Sequence, residues 1–451
     1  MKKEVEEKDF QEHEIKKSLS YSTKDGVAST ITGNAGDNFV SAYAVALGAT
    51  NFQIGLLSAL PNLLPVEIFT TKLIGKISRK KIVVSGVMGQ IILLLLMATL
   101  GFFMFKSTAM AATLLIVLFT LYASTGLFIS PAWNSWMKDL TEKIEIGKYF
   151  GVRNRIFGIV GLITLIIAGI VLNEFKKLNI VFYGFALLFV VAALARTISR
   201  GYLKKQYEPK LKLKKESYFS FWQFVKKAYT NNYGRFVIFI ALINLATTIS
   251  GPFFTPYLLN SLKFNYITFT IINLVISALA ALLTMPLWGK FLDKYGCVAT
   301  MRISVWAIPV IPLLWLISPS PYWLAVVQIF SGTMWAGFNL AAGTFIFHAV
   351  TKERMNLCVA YSSILNGVAI FFGAIIGGIL ASLNIKFMNV FLFVFFVSGI
   401  VRIIIISVFF PLIKEVRQVK SSKPLMSILL KPFRELHALH ASHPFSRKAN
   451  H

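Results

Sequence analysis

Twelve stretches of the chain are apolar over about 21 to 29 residues: 24–47, 52–75, 82–105, 109–137, 153–173, 178–199, 235–260, 266–288, 298–318, 321–349, 357–383 and 387–412. A helix rises about 1.5 Å per residue, so each stretch is long enough for a hydrocarbon layer of about 30 Å. Polar residues interrupt this pattern in a regular way. Thr30, Asn34, Asp37 and Ser41 fall on one face of the first predicted helix, within an arc of roughly 60°. The stripe returns 214 positions later as Asn244, Thr248, Gly251 and Thr255. Lipid would make such a face costly, so both faces are expected to meet protein or water. Only Asp37 among the eight is charged.

Composition agrees with a polytopic membrane protein: 56% of the 451 residues are hydrophobic and 14% charged, with mean hydropathy +0.67. The two cysteines, Cys297 and Cys358, suggest neither a disulfide framework nor a metal site. Residues 1–24 mix Lys and Glu without a following apolar core, so no cleavable leader is read there. A net charge of +27 resembles a nucleic-acid signature until the charges are placed. With the first residue inside, about 40 of the 46 Lys and Arg fall on the inner side, and the outer loops keep Lys106, Lys176, Lys177, Lys263 and Lys386. This asymmetry predicts cytoplasmic termini in a cell membrane and contact with the anionic inner leaflet, with no nucleic-acid partner.

The 214-residue offset extends beyond the stripe. Between residues 30 and 81 it aligns nine identities without a gap, among them Phe39, Tyr43, Asn51, Gly75 and Lys76. With small shifts Arg196 aligns with Arg402. The expected fold is therefore all-α, with 12 transmembrane helices in two parallel six-helix repeats. Expected boundaries are a cytoplasmic N-terminal segment 1–23, a bundle 24–199, a cytoplasmic linker 200–234, a second bundle 235–412 and a tail 413–451. Tyr218, Phe219, Trp222, Val225 and Tyr229 make the linker amphipathic, and 424–440 shows a similar pattern. His437, His440, His443 and His451 lack an acid or cysteine at ligand spacing and are read as a solvated tail.

After the eighth apolar stretch runs Leu287-Trp288-Gly289-Lys290-Phe291-Leu292-Asp293-Lys294-Tyr295-Gly296. This resembles the Gly-x-x-x-Asp-Arg/Lys-x-Gly loop of the major facilitator superfamily. The matching segment in the first half, Gly75 to Lys81, keeps the glycine and bases but carries Arg79 and no acid. With the repeat and topology, the resemblance covers roughly residues 20–412. It implies a transporter whose helices one, four, seven and ten line a central cavity. The family's proton-coupling arginine in helix four and Gly-Pro seam in helix five are missing here.

On that frame the cavity residues expected are Asn34, Asp37, Asn38, Ser41, Trp133, Asn134, Asn244, Thr248, Thr255, Trp335 and Asn339. Amides and indoles suit a solute of mixed polarity. Pro131 predicts a kink in helix four, which also carries Trp136, and Gly251, Pro252 and Pro256 predict a flexible or broken stretch in helix seven. Asp37 lies about 18 Å along the helix from its inner start. A carboxylate at mid-membrane must be protonated, paired or wet, which suits reversible proton binding, with Glu67 as a second site or as a partner of Lys72 or Arg196. Arg196 and Arg402 are read as supports outside the pathway that snorkel or bind backbone carbonyls. A cytoplasmic gate is expected from Gly75, Arg79, Arg153, Arg155, Gly289 and Asp293, the glycines allowing close approach and Asp293 pairing with Arg153 or Arg155. For Arg79 an inverted contact with Glu353 is expected.

No phosphate-binding Gly-Lys-Ser/Thr loop occurs, which favours gradient-driven movement over ATP hydrolysis. No catalytic cluster, cofactor or metal site is read. The expected function is a monomeric secondary active transporter of a small-molecule solute, coupled to protons through Asp37. A passive facilitator and a receptor or sensor on the same fold are the alternatives.

Overall fold

A computed structural model describes residues 2–63, 66–102, 108–141, 146–209, 220–350 and 354–416. Among them helices prevail, and pairing of extended backbone is confined to an isolated Ile74–Ile77 bridge. Twelve spans succeed one another in the predicted order. Span one comprises Lys2–Ala35 and Val40–Ala46; span two, Asn51–Leu63 and Val66–Leu73; then Arg79–Thr99, Thr108–Thr141, Ile146–Lys177 and Val181–Lys205 complete the first half. Span seven begins at Asn232–Ser250, span eight ends with Ile276–Tyr295, and span nine joins Cys297–Ala307 to Val310–Leu314. Pro321–Ala349, Met355–Ala381 and Val390–Phe409 are spans ten to twelve. Ten of the described helices are long and apolar enough to cross a membrane. Leu194, Leu283, Leu287 and Ile163 stand more than half exposed on the outside, where only lipid would make that favourable.

The halves repeat one packing scheme. Span one lies against five and six as seven lies against eleven and twelve, and span three pairs with four as nine pairs with ten. Two equivalent seams join the halves: span two against eleven, and span five against eight. Glycines set the first. A Cβ on Gly367 would come within 2.2 Å of the Asn62 carbonyl, and one on Gly55 within 2.8 Å of the Ala374 carbonyl. Span eleven also packs backbone to backbone through a face of small residues, against seven with Gly373 and Gly377 and against two with Gly378.

The first helix of each half is broken at equivalent positions: the break in span seven is the one that Gly251, Pro252 and Pro256 predict, and the break in span one is not marked in the stripe. Span one stops at Ala35 and turns through a 3₁₀ segment, Asp37–Phe39, before resuming. Span seven stops at Ser250 and turns through Gly251–Phe253, again 214 positions later. In span seven Pro252 and Pro256 withhold N–H groups and the chain passes into a π-helix, Tyr257–Ser261. In span one Gly36 lies where a Cβ would be 3.0 Å from Thr32 O and 3.3 Å from Ala192. The break places Asp37 where the regular backbone bonding fails.

Both halves are also closed by an acid just beyond their last helix. Glu208 accepts from the Arg79 N–H at 2.8 Å, at the start of span three. Glu415 accepts from the Val298 N–H at 2.7 Å, at the start of span nine. Carboxylates at helix N-termini satisfy free donors and complement the helix dipole. The linker forms a helix, Phe221–Ala228, opened by a capping box between Ser220 and Gln223. The face it packs inward is that of Phe224, with Phe221 against Tyr361, whereas Trp222 and Tyr229 of the expected apolar stripe are exposed. Tyr218 and Phe219, Glu353, the stretch 424–440 and the four tail histidines lie outside the described residues.

Candidate functional site

Near the end of the bundle that carries the linker, a cavity of about 370 Å³ opens inside the first half. Span one contributes Asp25, Gly26, Ser29 and Thr30; span four, Ser130 and Trp133; span five, Arg153 and Phe157; span six, Arg196. Asp25 is 5% exposed, accepts from the Ser199 hydroxyl at 2.5 Å, and lies within electrostatic reach of Arg196 and Arg153. Arg196 spreads its donors over Gln90 Oε1 (2.6 and 2.9 Å), Ser29 Oγ (2.9 Å) and Ser199 Oγ (3.3 Å). Arg153 packs its guanidinium against Phe157, Trp133 and Phe150, with ring centroids at 4.5, 5.2 and 5.6 Å. Gly26 makes room for this wall: a Cβ there would overlap the Phe157 ring.

Sequence reasoning missed Asp25 and Gln90 and placed Arg196 outside the pathway. The alignment of Arg196 with Arg402 carried the correct structural signal, since both staple their half together from the sixth helix. Arg402 is 3% exposed and donates to Ser250 Oγ at 2.7 Å, Ile308 O at 3.1 Å and Thr247 O at 3.4 Å. It thus binds backbone carbonyls as expected. Its partner in the first half differs because Gln90, Ser29 and Asp25 surround Arg196 with side chains and leave it half-buried at the cavity wall.

Asp37 sits deep among the helices yet keeps an exposed side chain, which is how a group facing water inside the bundle behaves. Its carboxylate bonds the side chain of Tyr122 on span four and lies within electrostatic reach of Arg196. Beside it, Asn38 Nδ2 donates to Asn34 Oδ1 at 3.0 Å, and Asn34 Nδ2 donates to Thr30 O at 2.8 Å. The predicted stripe is a linked polar row running from Asp37 toward the cavity that Thr30 lines. Ser41, half-buried beyond the break, is in neither cavity lining.

A second cavity of about 200 Å³ lies between the halves, lined by Asn62, Glu67 and Leu127 from one and Ser363, Asn366 and Gly367 from the other. Glu67 bonds the Ser363 side chain across the seam, in place of the Lys72 or Arg196 partners expected. Asn244 reaches this site indirectly, donating to Asn366 Oδ1 at 2.8 Å. Thr248 donates to Asn244 O at 2.6 Å and faces Gly373. Asn134, Thr255, Trp335 and Asn339 line neither cavity. Asn134 and Asn339 are exposed, Thr255 is buried, and Trp335 packs edge-on to Phe338. Trp136, fully buried, donates its indole N–H to Tyr207 O at 2.8 Å and so anchors the linker. Span four continues through Pro131 from Thr108 to Thr141.

The expected gate requires several corrections. The segment resembling a family loop is helical through Tyr295, and the turn is made by Gly296 at φ 88°. A Cβ on Gly289 would meet nothing within 4 Å, so that glycine permits no close approach, whereas Gly75 occupies a turn at φ 98°. Arg153 points into the first cavity and away from Asp293, because three aromatic rings hold it. Asp293 and Arg155 are exposed, and among the described residues neither forms an ion pair. Arg79 is 1% exposed and engaged within its own half, with Asp139 at 2.6 Å, Pro209 O at 2.8 Å, Ser135 O at 3.0 Å and Glu208 at 3.4 Å. Its acids are Asp139 and Glu208, not Glu353. Among the described residues no group of three or more His, Cys, Asp and Glu is placed to hold a metal.

A two-repeat helical membrane fold with a broken, polar first helix in each half is the architecture of a membrane transporter. The family model described as Major Facilitator Superfamily matches residues 27–243 and 236–446, and the chain belongs to that superfamily. The fold is similar to a point-mutant form of the nucleoside transporter NupG, with TM-score 0.68 and 14% identity, covering 88% of this chain and 100% of the other. It is also similar to a bacterial homologue of the iron transporter ferroportin in an inward-facing state, with TM-score 0.63, 16% identity and coverages of 88% and 99%. A bacterial homologue of the human lysosomal transporter Spinster gives TM-score 0.59, 12% identity and coverages of 91% and 99%. At these identities the likeness is one of fold. Comparison with curated proteins finds no match.

Proposed function

We propose that this chain is a secondary active transporter that moves a small solute by alternating access, with Asp37 as its coupling acid. One observation carries the reading: the sole charge of the duplicated polar stripe sits at a helix break, wet, and bonded to Tyr122 of a neighbouring span. Proton transfer to that carboxyl changes its bonding with Tyr122 and its attraction to Arg196, which links protonation to the polar network of the first cavity. Glu67 is the second exchangeable acid. Its bond to Ser363 crosses between halves that would have to separate, so protonation there adjusts the seam.

The distribution of contacts supports an inward-open state. Away from the linker end the halves are sealed by Asn51 Nδ2 on Ala381 O at 2.6 Å and by Gly169 against Thr270. Toward the linker end, among the described residues, the Glu67–Ser363 bond crosses between them and no ion pair does. The linker end is taken as cytoplasmic because the basic residues gather there. Asp293 and Arg155, both exposed at that end, are the pair that would close it in the opposite state.

Proteoliposomes test the reading. An imposed pH gradient is expected to drive accumulation of a transported solute, and Asp37→Asn is expected to abolish accumulation. Equilibration without accumulation in the unaltered protein would make it a facilitator. Gradient-driven accumulation that survives Asp37→Asn would remove Asp37 from the coupling role.

A further inference from the structure

The first cavity holds a charge whose electrostatics are incomplete. Arg153 is 9% exposed and its Nε has no hydrogen-bond partner. Among the described residues its terminal nitrogens have none either; its neighbours are three aromatic rings. Rings stabilise a cation through their faces but accept no hydrogen bonds in the guanidinium plane, so the donor fork stays unused. Leaving the Nε buried and unpaired is costly, and an arrangement that keeps the terminal donors unpaired at a cavity is explained most simply by a ligand that completes it. The one acid at the site, Asp25, is committed to Ser199 and shared electrostatically with Arg196. Two arginines against one carboxylate leave the cavity with a net positive charge.

We propose that this cavity binds an organic anion bearing a flat apolar ring, its acid group on the free donor fork of Arg153 and its ring against Trp133 and Phe157. A fork of N–H donors matches a carboxylate in two parallel bonds, and a lysine would not. The volume of about 370 Å³ admits a two-ring acid, and the lining of Val83, Val87 and Ile129 suits its apolar part. Asp25 then acts as a selectivity element: it repels the anion enough to keep binding reversible. The inference names a substrate class for the transporter proposed above and rests on that reading for its role, though not for its binding.

The test uses the purified full chain in detergent with three isosteric probes: 2-naphthoate, 2-naphthol and 2-naphthylmethylamine, followed by titration calorimetry and thermal shift. The expected result is that 2-naphthoate binds at least about tenfold more tightly than the other two. Arg153→Gln should lose at least about tenfold in naphthoate affinity, and Asp25→Asn, which keeps the Ser199 bond, should gain several-fold. A purely structural role for either residue predicts no such gain. Equal or tighter binding of the amine overturns the proposal, and this comparison needs no variant to fold. Naphthoate displaced by phosphatidylglycerol but not by phosphatidylcholine would make a lipid headgroup the occupant and overturn a soluble substrate. Naphthoate bound but not moved into liposomes would remove the transport reading and leave the site standing. Movement of other solutes without naphthoate binding would do the reverse.

Discussion

Replacing Arg79 with glutamine should loosen the linker from the first half by an amount the structure sets. The guanidinium is 1% exposed and holds Asp139 at 2.6 Å, Pro209 O at 2.8 Å, Ser135 O at 3.0 Å and Glu208 at 3.4 Å. Removing one member of a buried pair costs about 3–5 kcal/mol, because the partner is left charged and unpaired. Here water reaches the partners, Asp139 being 32% exposed and Glu208 21%, which brings the cost down to about 2–3 kcal/mol. At 1.36 kcal/mol per decade, that is roughly a 30- to 150-fold rise in local opening. The reporter is the Tyr207 amide, which donates to Ser18 Oγ at 2.7 Å and is released when residues 206–209 lift away. Hydrogen exchange of that amide should accelerate by the stated factor. In the cycle with Asp139→Asn, the two changes together should cost less than their sum. Exchange within about twofold of the unaltered protein would refute the reasoning, since Trp136 and Lys80 would then hold the linker without Arg79.

Three further outcomes follow from the glycines. Gly289→Ala should be neutral or stabilising by up to about 1 kcal/mol in thermal unfolding, because the site is mid-helix with open space around it. Gly296→Ala, at φ 88°, should lower stability by about 1–2 kcal/mol in the same measurement. Gly377→Ala drives a methyl to within 2.2 Å of Ile249 O, and should cost about 1–3 kcal/mol and widen the packing of spans seven and eleven, read by spin-label distances.

The scaffold was legible because lipid imposes long apolar helices and the duplication left one register that could be tested. Two kinds of information escaped. Periodicity assumes a continuous helix, so the break at Gly36 was invisible, whereas Gly251, Pro252 and Pro256 marked the one in span seven. Partner choice depends on which helices become neighbours, which no single segment states. Arg153 was assigned to the gate because the acid motif pointed toward it, and three aromatic rings drew it inward. Arg79 likewise met acids of its own half, Asp139 and Glu208, neither of which lies near it in sequence. Asp25 looked like a helix start because nothing local distinguishes a wet carboxylate from one sealed against Ser199.

The repeat also separates what both halves must do from what only one does. Each half keeps the helix break, the sixth-helix arginine staple and the acid that caps its third helix, and the staple and the cap tie each bundle together. At the break itself the halves diverge: Asp37 in one, Gly251 in the other. The arginines diverge in the same sense, Arg196 among side chains at a cavity and Arg402 sealed among carbonyls. If duplication supplied the mechanics twice, then charge recognition was developed once, in the first half, and the second half serves as the wall against which it rocks. Transferring the acid tests that division. Gly251→Asp in an Asp37→Asn background restores the stripe's charge without Tyr122 or Arg196 beside it. The expected outcome is no recovery of pH-driven accumulation, and recovery would show that position along the stripe matters more than the network around it.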